Sequence, residues 1–313
     1  MSVVTTAVPT SAPVDAVPDR RLATRLLVAA AVAALACAAI YVLFVYTAIG
    51  QRFDNAALLG ARQQLPATRI SDTDQLQRIT ADSFLLVLVL IVGFGWVRRR
   101  PRLGISVAVA AAFSVLFTDL LRRVVLGRPA LVDNALVQAY NTYPSGHTAT
   151  AISCALALVV VSPPSWRGIS AVVAGSFAWF TAAAVQTAGW HRPSDAIGAA
   201  FLSFAAVAIM AAVIARYRPV GTGHRLGHVP AFAVLSVVWL YCLAAGALNA
   251  ERVLRFLANN DAAAPTPPGI LSDAYRVSTN LTIVAVVSLL ATLLLLLGRA
   301  DLDQPKPRAS APS

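Results

Sequence analysis

The chain has 313 residues, of which 58% are hydrophobic and only 12% charged. Soluble domains carry about a quarter charged residues, so this composition excludes an ordinary soluble globular domain and indicates a membrane protein. The formal charge of +11 does not point to a nucleic-acid partner, because the basic residues are scattered among short loops with no stripe or aromatic-spaced patch. All of them but Lys306 are arginines, and anionic membrane lipids are their natural counter-charge.

Residues 1–25 are expected to form a disordered cytoplasmic tail. Their first nineteen are rich in Ser, Thr, Ala, Val and Pro, and Arg20, Arg21 and Arg25 follow. The apolar run at 26–48 is too long for a signal-peptide core and lacks an evident small-residue cleavage site, so it reads as a retained membrane helix. Further apolar runs lie at 83–97, 103–121, 146–162, 168–189, 196–215, 230–249 and 278–298. A membrane helix needs about 20 mainly apolar residues. Eight such runs in succession, joined by short charged loops, predict an all-α polytopic membrane protein.

Two connecting segments are longer. Residues 49–82 place Leu58, Leu59, Leu65, Leu76 and Ile79 among polar residues. They read as an interfacial amphipathic helix or, equally, as a partly ordered loop. Residues 250–277 contain the Pro-rich stretch 264–269 and read as a linker. Residues 299–313 are expected to be a second cytoplasmic tail. Cys37, Cys154 and Cys242 sit inside apolar runs at spacings that fit neither disulfides nor zinc, and read as small apolar filler.

Arginine placement sets the expected orientation. Arg98, Arg99, Arg100 and Arg102 mark the loop between the second and third runs as cytoplasmic, which puts both termini inside. Arg167, Arg216, Arg218 and Arg225 then also fall inside. The polar breaks holding Arg128-Pro129, Pro144-Ser145-Gly146-His147 and His191-x-x-x-Asp195 all emerge together on the opposite, extracytoplasmic side.

These three pieces carry groups suited to phosphate chemistry. Phosphoryl transfer needs cations around the equatorial oxygens, a nucleophile, and an acid for the leaving oxygen. Arg128 offers a fixed charge with fork geometry, and Arg122 and Arg123 can add to it. Snorkelling at the membrane boundary is the competing reading, favoured for one of those two. Asp119 is placed to pair with either of them. Ser145 and Gly146 stand where a loop enters a helix, so free backbone N–H groups would face an anion. His147 in that first turn can protonate a leaving oxygen. Asp195, four residues after His191, can bond one imidazole nitrogen and leave the other free to attack phosphorus. A metal site built on His147, His191 and Asp195 is the rival chemistry. Its spacing matches no standard zinc motif, and the flanking arginines would repel a cation; neither a metal nor another cofactor is expected.

At these residues the sequence resembles the type-2 phosphatidic acid phosphatase superfamily, which shares its helical core with vanadium haloperoxidases. That family's pattern is Lys, six residues, Arg-Pro; then Pro-Ser-Gly-His; then Ser-Arg, five residues, His, three residues, Asp. The second motif is intact at 144–147, and the third retains His191 and Asp195. The resemblance implies a nucleophile at His191, an orienting partner at Asp195 and a general acid at His147. Its implied phosphate binders are Ser145, Gly146 and Arg128. It further implies a six-helix phosphatase core, taken as 26–217, with two additional transmembrane helices in 218–298. The implied activity is hydrolysis of a lipid phosphate or diphosphate through phosphohistidine at the outer face of the cell membrane, with membrane lipids as surroundings. The alternatives are a lipid head-group phosphotransferase, or an inactive lipid-phosphate-binding or transport protein of the same fold. Two departures stand out. The first motif lacks its lysine, since Arg122 lies one residue too close to Arg128. The Ser-Arg of the third motif falls on Ala184 and Val185, which leaves Arg192 as the candidate replacement cation.

Overall fold

The computed structural model describes residues 17–64, 66–132, 137, 140–224, 228–260 and 265–304. Most of the two expected tails therefore lies outside the described residues. Among the described residues, ten α-helices run in chain order: α1 (Arg20–Val45), α2 (Ala48–Arg62), α3 (Pro66–Gln77), α4 (Ala81–Val97), α5 (Pro101–Leu120), α6 (Gly146–Val161), α7 (Arg167–Thr187), α8 (Pro193–Tyr217), α9 (His228–Asn259) and α10 (Pro268–Leu297). Six are long and apolar enough to cross a membrane: α1, α5 with its continuation to Val125, α7, α8, α9 and α10. The pair α3 and α4 passes the same test only together, bent by 60° at the break between them, and α6 is a shorter apolar helix. The protein is an all-α, multi-pass membrane protein.

Several boundaries differ from the sequence reading. Helix α1 begins at Arg20, inside the expected tail, because the Asp19 carboxylate accepts the Leu22 N–H 2.9 Å away and caps it. It stops at Val45 because Thr47 caps a new helix, its hydroxyl oxygen accepting the Gly50 N–H. Residues 49–82 are thus two helices. The expected linker at 250–277 is mostly helix, since α9 runs on to Asn259 and α10 starts with Pro268 at its first turn. Part of the second expected tail is also ordered: β2 (Ala300–Leu302) pairs antiparallel with β1 (Val220–Thr222).

Packing also runs across the expected division at 217. Helix α10 packs on α2, α7, α8 and α9. Its contacts with α2 bring Ala274 and Val277 against Phe53, Ala56 and Ala57. Between α7 and α10, the buried Gln186 amide donates to the Thr282 hydroxyl at 2.9 Å and accepts from the Ser278 hydroxyl at 3.1 Å. Polar contacts of this kind hold helices together where lipid offers no hydrophobic drive.

The ends of the bundle are chemically unlike. At one end Arg98 and Arg100 pair with Asp301, Arg218 pairs with Asp303, and Arg167 donates to the Ala300 carbonyl. At the other end lie the segment after α5, the start of α6 and the α7–α8 turn, which carry the three sequence motifs.

Candidate active site

Asp195 is the third residue of α8 and caps it: its Oδ2 accepts the Arg192 backbone N–H at 2.9 Å. The same oxygen lies 3.2 Å from His191 Nδ1. Both side chains are buried. A backbone bond therefore fixes the carboxylate, which in turn fixes the imidazole and leaves Nε2 as its free nitrogen. The main chain at His191 is set by α7, whose Val185 carbonyl accepts the N–H groups of Trp190 and His191 at 3.0 and 3.1 Å. Val185, where the resemblance would place an arginine, is a fully buried core side chain.

The Pro144–His147 segment is tied directly to this turn. The Ser145 N–H donates to the Asp195 carbonyl at 2.9 Å. The Ser145 hydroxyl oxygen accepts the Thr148 N–H at 3.4 Å and caps α6. Gly146 faces open space: a Cβ there would meet no atom within 4 Å. The His147 ring packs on Trp190 with centroids 5.2 Å apart, and the His191 imidazole and Arg122 guanidinium are its neighbours. Upstream, the Asn141 amide donates to the carbonyls of Arg122, Leu126 and Tyr143, drawing the end of the α5 region onto this loop. The Tyr143 hydroxyl donates to the Cys37 carbonyl of α1 at 2.6 Å.

Helix α5 ends in a π-helical turn, Leu121–Val125, which carries Arg122 and Arg123. Asp119 pairs with both. Arg122 is partly buried near His147, but the Arg123 side chain is 68% exposed. Its i+4 pairing with Asp119 holds it outside the buried cluster, the position that snorkelling at the membrane boundary would give. The Arg128 side chain is buried, with Nη1 3.8 Å from Asp54 Oδ2. Its Nε and Nη2 have no hydrogen-bond partner among the described residues. Burial, and then the neighbouring Arg192 guanidinium, pull Arg128 below the usual arginine range, while Asp54 and Asp195 oppose this. Arg192 is fully buried, and donates from Nε to Asn55 Oδ1 at 3.1 Å and from Nη1 to the Thr142 hydroxyl at 3.2 Å.

Sequence reasoning missed the contribution of α2. Gln51, Asp54 and Asn55 are all buried and lie on one helix face by their i, i+3, i+4 spacing. Gln51 donates to the Pro129 carbonyl, Asp54 accepts the Ser194 hydroxyl at 2.6 Å, and Asn55 holds Arg192. That polar triplet in an otherwise small and apolar segment was the available signal. Among the described residues, no group of three or more His, Cys, Asp or Glu side chains is placed to hold a metal ion.

A cavity of about 1330 Å³ lies between α3, α4, α6 and α7. Its α6 wall is Thr150, Ala151, Cys154, Ala155 and Leu158, the helix face that continues from His147 in steps of three and four. The chain matches no protein-family model, no curated protein and no solved structure.

Proposed function

We propose that this protein is an integral membrane phosphatase of the type-2 phosphatidic acid phosphatase kind, acting on a lipid phosphate or diphosphate. One observation carries the reading. A carboxylate-oriented imidazole (His191 with Asp195), a helix start bare of side chain (Gly146) and a buried arginine with open donors (Arg128) converge on one end of the bundle.

The steps follow from that geometry. Asp195 holds the His191 Nδ1 proton, so Nε2 attacks phosphorus; the N–P bond forms as the bond from phosphorus to the lipid oxygen breaks. His147, protonated once the phosphate dianion docks beside it, donates that proton to the leaving oxygen. Arg128, the α6 N-terminal N–H groups and Arg192, in place of the absent third-motif arginine, bear the developing charge. Water then attacks the phosphohistidine with His147 as base, releasing phosphate and restoring both histidines. Arg122 adds charge beside His147.

The lipid part of the reading rests on the cavity. The leaving oxygen sits at His147 and the tail is bonded to it, so the tail must depart from that residue. The α6 face from His147 to Leu158, which lines the cavity from Thr150 onward, is about 16 Å long at the α-helical rise, roughly half the hydrocarbon thickness of a bilayer. With the arginine-rich end inside, the site faces the extracytoplasmic surface and both termini face the cytoplasm.

The test is phosphate release by purified protein from a panel of lipid monophosphates and diphosphates. Release should persist in chelator and fall at least roughly a thousandfold in H191A. A protein that binds these lipids but releases nothing from any of them would refute the catalytic reading.

A further inference from the structure

The steps above use Asp195 but leave a second buried carboxylate, Asp54 on α2, without a task. Its Oδ2 accepts the Ser194 hydroxyl at 2.6 Å, its Oδ1 accepts the Ser194 N–H at 3.4 Å, and Oδ2 stands 3.8 Å from Arg128 Nη1. Arg128 is the cation assigned to the phosphate. A carboxylate on it is an anion already in place, and a phosphate arriving at the open Nε and Nη2 meets that charge at close range in a water-poor setting, where repulsion is strong.

The charged groups that act on Asp54 are few. Asp195 and Arg192 reach it from the start of α8 and Arg128 from the segment after α5; the Tyr143 phenol faces it from the segment before α6. On the other face of α2, Arg252 of α9 pairs with Asp273 of α10, Glu251 pairs with Arg255, and Arg52 donates to the Leu257 and Asn260 carbonyls. Helices α1 and α7 carry their charged side chains, Arg20, Arg21, Arg25 and Arg167, at the opposite end of the bundle.

We infer that Asp54 couples oxyanion binding to proton uptake: its carboxyl takes a proton from solvent when a phosphate group docks, and Arg128 exchanges the carboxylate for the ligand. The inference rests on the phosphate site proposed above. Neutralising Asp54 costs little near neutrality, because burial, and then the Asp195 charge, push it up to about 7 against the Ser194 bond and the arginines. A docked dianion raises it further. Above that value the free site is ionised and the bound site protonated, so affinity falls by up to about tenfold per pH unit. Below it Asp54 is protonated in both states, and its contribution to the pH dependence vanishes.

The probe is tungstate, a tetrahedral dianion that carries no exchangeable proton near neutrality, titrated calorimetrically into the purified full-length protein in buffers of different ionisation enthalpy. The wild-type protein should take up close to one proton about a unit above neutrality. D54E should keep the uptake, and D54N should bind tungstate without it and with a flatter affinity profile. Absence of uptake in the wild type, a measurement that needs no variant, overturns the inference. So does uptake that survives unchanged in D54N, which assigns the proton to His147 or His191. Wild-type protein that binds no tungstate at any pH instead removes the phosphate site itself, and with it the basis for the inference.

Discussion

Tyr143 shows how little room the site leaves for a single side chain. Its ring lies against Gly198 on α8, where a Cβ would fall 2.2 Å from the Tyr143 hydroxyl oxygen. That ring precedes Pro144 and is pinned to the Cys37 carbonyl, so it cannot yield without moving the segment that holds Ser145 and His147. Gly198→Ala should therefore cost about 1–3 kcal/mol of stability and lower phosphatase activity together. Thermal unfolding in detergent and a turnover assay check it, and wild-type values for both would show that the ring relaxes freely. Asp54 gives a second residue-level prediction. An unfolded carboxyl titrates near 4, whereas this one is raised to about 7 in the folded protein. The native state then binds more protons than the unfolded state between those values, so the contribution of Asp54 to stability falls as pH rises through that window. D54N escapes the loss. Its melting temperature relative to wild type should climb from about pH 4 to about pH 7 and level off beyond; a constant difference across that range would contradict the assignment.

Helix α2 marks the boundary of what could be read from the chain alone. Pro144–His147 and His191 with Asp195 were legible because their geometry is local: a helix cap and an i+4 pair need only the neighbouring backbone. The apolar runs were legible because the length of a span is a property of composition. The role of Gln51, Asp54 and Asn55 was not, because an amphipathic helix of that composition suits a bilayer surface equally well. Only the packing of α10 against its other face turns the polar face inward. The backbones there nearly touch, since a Cβ on Gly60 would lie 2.0 Å from the Leu271 carbonyl oxygen. Arg192 was legible as a candidate cation, but its direction depends on Asn55 and Thr142, which come from distant segments. Helix α10 thus backs the helix that carries the polar face. A chain ending at residue 227 leaves Phe53, Ala56 and Ala57 without Ala274 and Val277. It should lose nearly all activity even where it still inserts into membranes. Phosphatase assays on membranes bearing the truncated protein test this, and turnover close to that of the full chain would restore the expected division at 217.

At the scale of the whole molecule, the two ends of the bundle do separate work, and this can be probed by damaging one and watching the other. Asp301 is the shared partner of Arg98 and Arg100, whose side chains are 13% and 8% exposed. It is the middle residue of β2, which pairs with β1 just after α8, while Arg167 of α7 donates to the neighbouring Ala300 carbonyl. One carboxylate thus fastens the α4–α5 turn to β2. Removing it leaves two nearly buried guanidiniums without their counter-charge, and breaking a buried pair from one side costs about 3–5 kcal/mol. The site residues are held at the far end by their own bonds, among them Ser145 to the Asp195 carbonyl and Asp195 to the Arg192 N–H. Asp301→Ala should therefore lower the melting temperature by several degrees while leaving KM and kcat near wild type at temperatures where the variant stays folded. Asp301→Asn, which keeps one acceptor for the arginines, should recover part of the loss. If D301A instead raised KM at unchanged stability, the arginine-rich end would be coupled to the site rather than serving as its structural counterweight.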